Sequence, residues 1–332
     1  MTVSSNSVYA AALLGATALS IHATYVVAQQ SQQSFPSKPV RLIVPFPPGG
    51  SIDPVARMLA PKLVETWGQQ VVVDNRPGAN GALGTELLAK AAADGHTLVL
   101  LGGGTHVLNA LLARNLPYDS VKDFAPVATV QRSDYVLVVH PALPAANLKQ
   151  LIALAKARPG DLSYASSGNG NMNHVAAEWF NLLTGVKTLH VPYKGAGQAM
   201  TDLIGGQVQM HFAVVISALP LIQSGRLKPL AIGGETRFPA LPQVPTFTEA
   251  GLPGFRLQPW QGIFAPARTP KPVIDKLAVE ISRIVMLPDI TARITGWGSV
   301  PLVSTPEEFS RLMADDFKRF GEIIKTANIR LD

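Results

Sequence analysis

The stretch "VRLIVPFPPGGSIDPVARMLAPKLVETWGQQVVVDN", residues 40–75, decides the fold. It opens with VRLIVPF (40–46), an apolar run of strand length, and closes with QVVVDN (70–75), which is another. Between them Val55, Met58, Leu59, Leu63 and Trp67 recur along one face at helical spacing, so the segment reads strand, helix, strand. Such a unit points to parallel strands covered by helices. Pro61 falls inside the helical pattern and is expected to kink or split it.

The alternation continues outward. NGALGTELLAKAAADG (80–95) reads as a helix closed by Gly95, and TLVLL (97–101) as a strand. DYVLVVH (134–140), LSYAS (162–166), TLHVPY (188–193), VQMHFAV (208–214) and LKPLAIG (227–233) are strand-like, with helical patterns over 147–160, 171–183, 196–205 and 216–224 between them. RFPALPQVPTFTEAGLPGF (237–255) has no sustained period and reads as loop, after which LQPWQGIFAPA (257–267) resumes as strand. Thr305, Pro306 and Glu308 supply N-cap, first-turn proline and capping-box acid to a final helix.

At 332 residues, 47 % hydrophobic and 15 % charged, the chain has the composition of a folded protein of two domains, so disorder does not explain its Gly-rich loops. The net charge of +6 is scattered rather than massed with aromatics, which speaks against a nucleic-acid surface and leaves room for attraction of a small anion. Without cysteine there is no thiolate chemistry. VYAAALLGATALSIHATYVVAQQ (8–30) is too short an apolar run to cross a bilayer and reads as a signal peptide, 1–28, cleaved after Ala28. Its basic n-region is missing, since no Lys or Arg precedes Lys38. Later apolar runs are all interrupted by Gly, Pro or charge, so the mature chain is not expected to span a membrane.

Five loops of small and polar residues follow strands: Pro48 to Asp53, Gly102 to His106 with Thr105, Ser166 to His174, Tyr193 to Gly197, and Ala213 to Ser217. In open α/β sheets such loops begin helices with unpaired N–H groups and a positive dipole end, which suits a carboxylate or phosphate. Each has a plainer reading too: Asp53 as an N-cap, Ser166, Ser167, Asn169 and Asn171 as turn and cap residues, His174 as a structural histidine, Tyr193 and Lys194 as a surface pair. Recurrence after successive strands favours a ligand. Nucleophile-elbow, phosphate-loop and dinucleotide motifs are all missing, and the seven histidines show no metal-binding spacing, so neither cofactor nor metal is expected. Ser167 and His174 lack an orienting acid, so no catalytic set is complete.

From about Pro39 onward the chain resembles the extracytoplasmic receptors of tripartite tricarboxylate transporters, also called Bug receptors. The resemblance rests on PVRLIVPFPPGGSID, VVDNRPGANGALGTELLAKAAADGHTL, LSYASSGNGNMNH, HVPYKGAGQAMTDLIGGQVQMHF, LPQVPTFTEAGLPGF and APARTP, in that order. It implies a periplasmic binding protein of Venus-flytrap form, two α/β domains with mainly parallel sheets closing on a small organic carboxylate, with membrane transporter subunits as partners. Residues 36–132 and 259–332 form one domain and 133–258 the other, with crossings near ATVQRS and RLQPWQ. The resemblance further implies a pincer on one carboxylate, made by Pro48, Gly49, Gly50, Ser51 and Asp53 on one side and by Ser166, Ser167, Gly168, Asn169, Gly170 and His174 on the other. Two positions depart from the family: Ile52 sits in the first loop, and Ala213 stands where many members carry Asp. The first places a bulky aliphatic beside the site and the second argues against an ammonium-bearing ligand, which together favour an apolar-bodied mono- or dicarboxylate, aromatic ones included, with Phe46 as a hydrophobic wall. A solute sensor and an enzyme acting on such an anion are the competing classes.

Overall fold

The computed structural model describes residues 35–49 and 52–330. The leader expected at 1–28, together with Gly50 and Ser51 of the first loop, lies outside the described residues.

Elements run in the order β1 (Val40–Val44), α1 (Asp53–Trp67), β2 (Val71–Asn75), a 3₁₀ turn (Ala79–Gly81), α2 (Ala82–Ala89), β3 (Thr97–Gly102), α3 (Gly103–Leu112), β4 (Phe124–Ser133) and β5 (Tyr135–Val139). Then come α4 (Leu148–Ala157), β6 (Ser163–Ser166), α5 (Met172–Thr184), β7 (Leu189–Pro192), α6 (Ala196–Ile204), β8 (Met210–Val214), α7 (Val215–Gln223) and β9 (Lys228–Ile232). The chain closes with β10 (Trp260–Pro266), α8 (Lys271–Val285), α9 (Pro288–Gly296), β11 (Ser299–Pro301) and α10 (Pro306–Thr326).

Two sheets result, ordered β11-β4-β10-β3-β1-β2 and β7-β6-β8-β5-β9. β1 pairs in parallel with β2 and β3, and β6 with β7 and β8. The strands beside the crossings run the other way: β10 is antiparallel to β3 and β4, and β5 to β8 and β9. Both sheets are therefore mixed, within the expected two-part α/β architecture. Side chains alternate between faces as the pleat requires, with Ile43 on one side of the first sheet and Leu42 and Val44 on the other. One apolar cluster runs unbroken from Val99, Leu101 and Phe264 of the first sheet to Phe180 on α5 and Phe212 in the second.

The sheets are joined at two places. Only Asp134 separates β4 from β5, and the segment after β9 returns to β10 through Leu257, Gln258 and Pro259. The two crossings pair with each other: Ser133 N–H donates to the Pro259 carbonyl (3.0 Å), Tyr135 N–H to that of Leu257 (3.3 Å), and the Gln258 amide to the Asp134 carboxylate.

Several local expectations change. α1 runs unbroken through Pro61, because Val55, Met58, Leu59 and Leu63 stay buried on its sheet-facing side and offset the lost backbone bond. α2 ends at Ala89, and Gly95 instead serves the turn into β3, where Asp94 accepts from His96 N–H (2.9 Å). Sequence periodicity misses β4, whose Pro126, Thr129, Gln131 and Arg132 break an apolar pattern although it lies between β11 and β10. Its ladder to β10 tolerates this by shifting register twice.

Candidate functional site

A cavity of about 470 Å³ lies between the two sheets. Five helices begin at its wall: Ile52 at the start of α1, Gly102 of α3, Asn171 of α5, Ala196 of α6 and Val214 of α7 all line it. None of the five N-cap side chains makes a capping bond, although the first N–H of α7 donates to the Asp134 carbonyl (2.9 Å) and Pro54 leaves α1 without its second N–H. The arrangement aims five positive dipole ends at one space.

No Lys, Arg, Asp or Glu lines the cavity among the described residues. Acids stand behind the wall and are committed to holding it. Asp53 accepts from Gly49 N–H (3.0 Å), Arg57 (2.9 Å) and Asn75 (2.9 Å), and the same Asn75 amide donates to the Phe46 carbonyl (3.0 Å). Burial pushes the Asp53 carboxyl up, but these bonds outweigh it and hold it below the usual carboxylate range. Asp134 ties the crossings, and Asp316 on α10 accepts from the Trp260 indole N–H (2.9 Å) and from Arg319 (2.6 Å). Burial raises both of these carboxyls despite their partners.

The loop between β6 and α5 is fixed by a ladder of side chains. Ser166 is fully buried, with Oγ 2.6 Å from His190 Nε2 and 3.1 Å from the Gly168 carbonyl. His190 stacks on His174 with ring centres 3.9 Å apart, and on Tyr164 at 4.9 Å. His174 Nδ1 accepts from Gly170 N–H (3.0 Å), which makes that imidazole the floor of the loop. Burial, assisted by His190, lowers the His174 pKa to about 4. Ser167 reaches the cavity, as do Phe46 and Thr105.

Other anticipated residues sit elsewhere. His106 is buried in an aromatic cluster, stacked on Phe264 at 4.8 Å and edge-on to Phe124, because the first turn of α3 rotates it into the core while Thr105 faces the cavity. Ala213 packs inside the second sheet, and its neighbour Val214 takes the wall position because successive strand residues face opposite ways. Asp53 is not the N-cap of α1; Ile52 holds that place. Tyr193 donates its hydroxyl to Asp202 (2.9 Å) instead of facing the cavity. Pro48, Gly49 and Asn169 are exposed at loop tips, whereas Gly168 and Gly170 shape the loop with φ of 135° and 72°. The Ser166 and His190 pair lies beneath the loop, out of the cavity.

Sequence reasoning did not single out Met172, Asn173, Ser133, Tyr135, Trp260 and Gln261, all of which line the cavity. The last four flank the crossings, so proximity to those crossings was the usable signal. Trp260 also explains Gly103, where a Cβ would lie 2.7 Å from the indole. Among the described residues, no group of three or more His, Asp or Glu is placed to hold a metal ion.

Two mixed sheets joined by paired crossings, with uncapped helices converging between them, define a two-domain solute-binding protein. The pattern described as "Tripartite tricarboxylate transporter family receptor" matches residues 55–329, and the chain belongs to that family. It is 37% identical to Protein BugT of Bordetella pertussis over 96% of this chain and 98% of that protein. An R. palustris protein solved with adipate has a TM-score of 0.79 and 34% identity, covering 89% of this chain and 99% of the other. MatC of Rhodopseudomonas palustris, solved with bound malate, has a TM-score of 0.74 and 33% identity over 87% of this chain and 100% of the other.

Proposed function

We propose that this receptor captures a small organic carboxylate with an apolar body and presents it to a membrane transporter. The observation that carries the reading is the convergence of five uncapped helix starts on a cavity without a charged side chain in its described wall. N–H dipoles suit an anion and offer nothing to an ammonium group. Phe46, Ile52, Met172, Val214 and Trp260 supply apolar surface for the ligand's body. Family membership and the adipate and malate of its structural neighbours support the carboxylate.

The proposal includes export, with the leader cleaved after Ala28, and hinge closure of 133–258 on the remainder about the paired crossings. Protein recovered from its native envelope should then begin at Gln29, and an intact Met1 or Thr2 speaks against it. The central test is a thermal-shift panel of adipate, malate, benzoate, citrate and aspartate. A ligand at a hundred times its Kd adds about 2.7 kcal/mol of stability. Adipate or benzoate should raise the melting temperature and aspartate should not. A flat response to all five defeats the reading, and turnover of any of them by catalytic amounts of protein replaces it with an enzyme.

A further inference from the structure

We propose that Asn173 is an internal stand-in for the ligand's carboxylate and sets the affinity threshold that any ligand taking its place has to exceed. The inference rests on the carboxylate reading above.

Asn173 lies in the first turn of α5, is buried, and lines the cavity. Its Oδ1 accepts from Ser167 N–H at 3.2 Å and from Ser167 Oγ at 3.1 Å, and its Nδ2 donates to the same Oγ at 2.9 Å. Two donors converging on one oxygen is the geometry that a carboxylate oxygen takes at such a loop, and a carboxamide has nearly the shape of a carboxylate.

The loop does not need Asn173 to keep its form. Asn171 holds the Ser167 carbonyl (3.0 Å), His190 holds Ser166, and His174 holds Gly170 N–H. Rotation of Asn173 away from Ser167 therefore frees two donors while the other bonds stay in place. What fills them next has to outbid a neutral amide. A neutral amide or alcohol exchanges one ordinary hydrogen bond for another and gains little, whereas a carboxylate makes bonds roughly twice as strong. Asn173 thus imposes the same displacement cost on every ligand that enters, a threshold that an ionised acid exceeds by more than a neutral amide does.

Asn173→Ala and Asn173→Asp test this, with benzoate and adipate and their amides, benzamide and adipamide, as probes in calorimetric titration. Removing the competitor in Asn173→Ala should tighten acids and amides alike, roughly threefold to tenfold, leaving the gap between them unchanged while bringing amide binding into measurable range. Asn173→Asp installs a tethered carboxylate, so it should weaken both acids by about a hundredfold or more. Ligand-free, Asn173→Asp should melt at or above the wild type and above Asn173→Ala. Loss of acid binding in Asn173→Ala overturns the inference, because it makes Asn173 a positioning residue. Asn173→Asp melting below Asn173→Ala overturns it too, without reference to any ligand. A wild type that binds neither acid, with Asn173→Asp still melting highest, sinks the carboxylate reading while the stand-in geometry survives.

Discussion

The starts of α5 and α10 treat the same physical problem in opposite ways. At α10 the Thr305 hydroxyl accepts from Glu308 N–H (3.1 Å), the Glu308 carboxylate accepts from Thr305 N–H (2.8 Å), and Glu307 and Glu308 bring negative charge to the first turn. At α5 the N-cap Asn171 makes no capping bond, its amide turns back to Ser167, and no acid occupies the first turn. One helix consumes its own donors and dipole, and the other leaves them open to the cavity. α4, away from the cavity, follows α10: Asn147 Oδ1 accepts from Gln150 N–H (3.0 Å). An N-cap is worth about 1 kcal/mol, so the cavity helices forgo stability that a bound anion can restore.

The largest effect that would break this contrast is at Gly168. Its φ of 135° excludes a β-branched residue, and a Cβ there would lie 3.0 Å from the Asn171 amide. Gly168→Val should lower carboxylate affinity about a thousandfold, near 4 kcal/mol, in calorimetric titration. Normal binding by that variant means that the loop before α5 does not grip the ligand.

Acid sharpens the contrast next. The imidazoles of His174 and His106 are both lowered to about 4, His174 by burial and by His190, His106 by burial. Unfolded, each returns to its ordinary value near 6.5, so between pH 6.5 and 4 the unfolded chain binds more protons and stability falls as pH falls. His106, the more deeply buried, accounts for up to about 3 kcal/mol of that loss, and His174 for less. Glu308 is held below the usual range by the Thr305 N–H and hydroxyl, so the α10 cap loses its charge later than an ordinary glutamate as pH falls. Hydrogen exchange at pH 7 and pH 4.5 should show protection lost first around Gly170 and retained at Glu308. Equal loss at both ends contradicts the assignment.

The two smallest effects form a reciprocal pair. Asn171→Ala removes the bond to the Ser167 carbonyl and should weaken carboxylate binding roughly tenfold, about 1.4 kcal/mol, with a smaller change in melting. Thr305→Ala removes a cap and should cost about 1 kcal/mol of stability while binding is unchanged. A Thr305→Ala that alters binding, or an Asn171→Ala that alters only stability, erases the distinction.

How much of this was legible in the sequence follows the range of the interactions. Strand and helix periods are local, so the alternation of elements and the α10 capping box read directly from residue order. β4 did not, because its central place is fixed by partners far along the chain and its own residues are mixed. At the site, Phe46, Thr105 and Ser167 were reachable from loop composition. His106 and Ala213 were misplaced by a single residue's rotation, and composition does not carry facing. Trp260, Gln261, Ser133 and Tyr135 come together only because two chain crossings pair side by side.

The committed acids behind the wall decide the reach of the forces on a solute. With Asp53, Asp134 and Asp316 turned away and no charged side chain in the described lining, the hold is made of dipoles and hydrogen bonds. A Lys or Arg attracts an anion over a Debye length, whereas a hydrogen bond is spent once donor and acceptor part beyond about 3.5 Å. On the proposed closure, retention should therefore depend steeply on how far the two halves stand apart and weakly on ionic strength. On the proposed hinge motion, a small opening at the crossings would release the solute in one step, with no charged side chain in the described wall to recapture it.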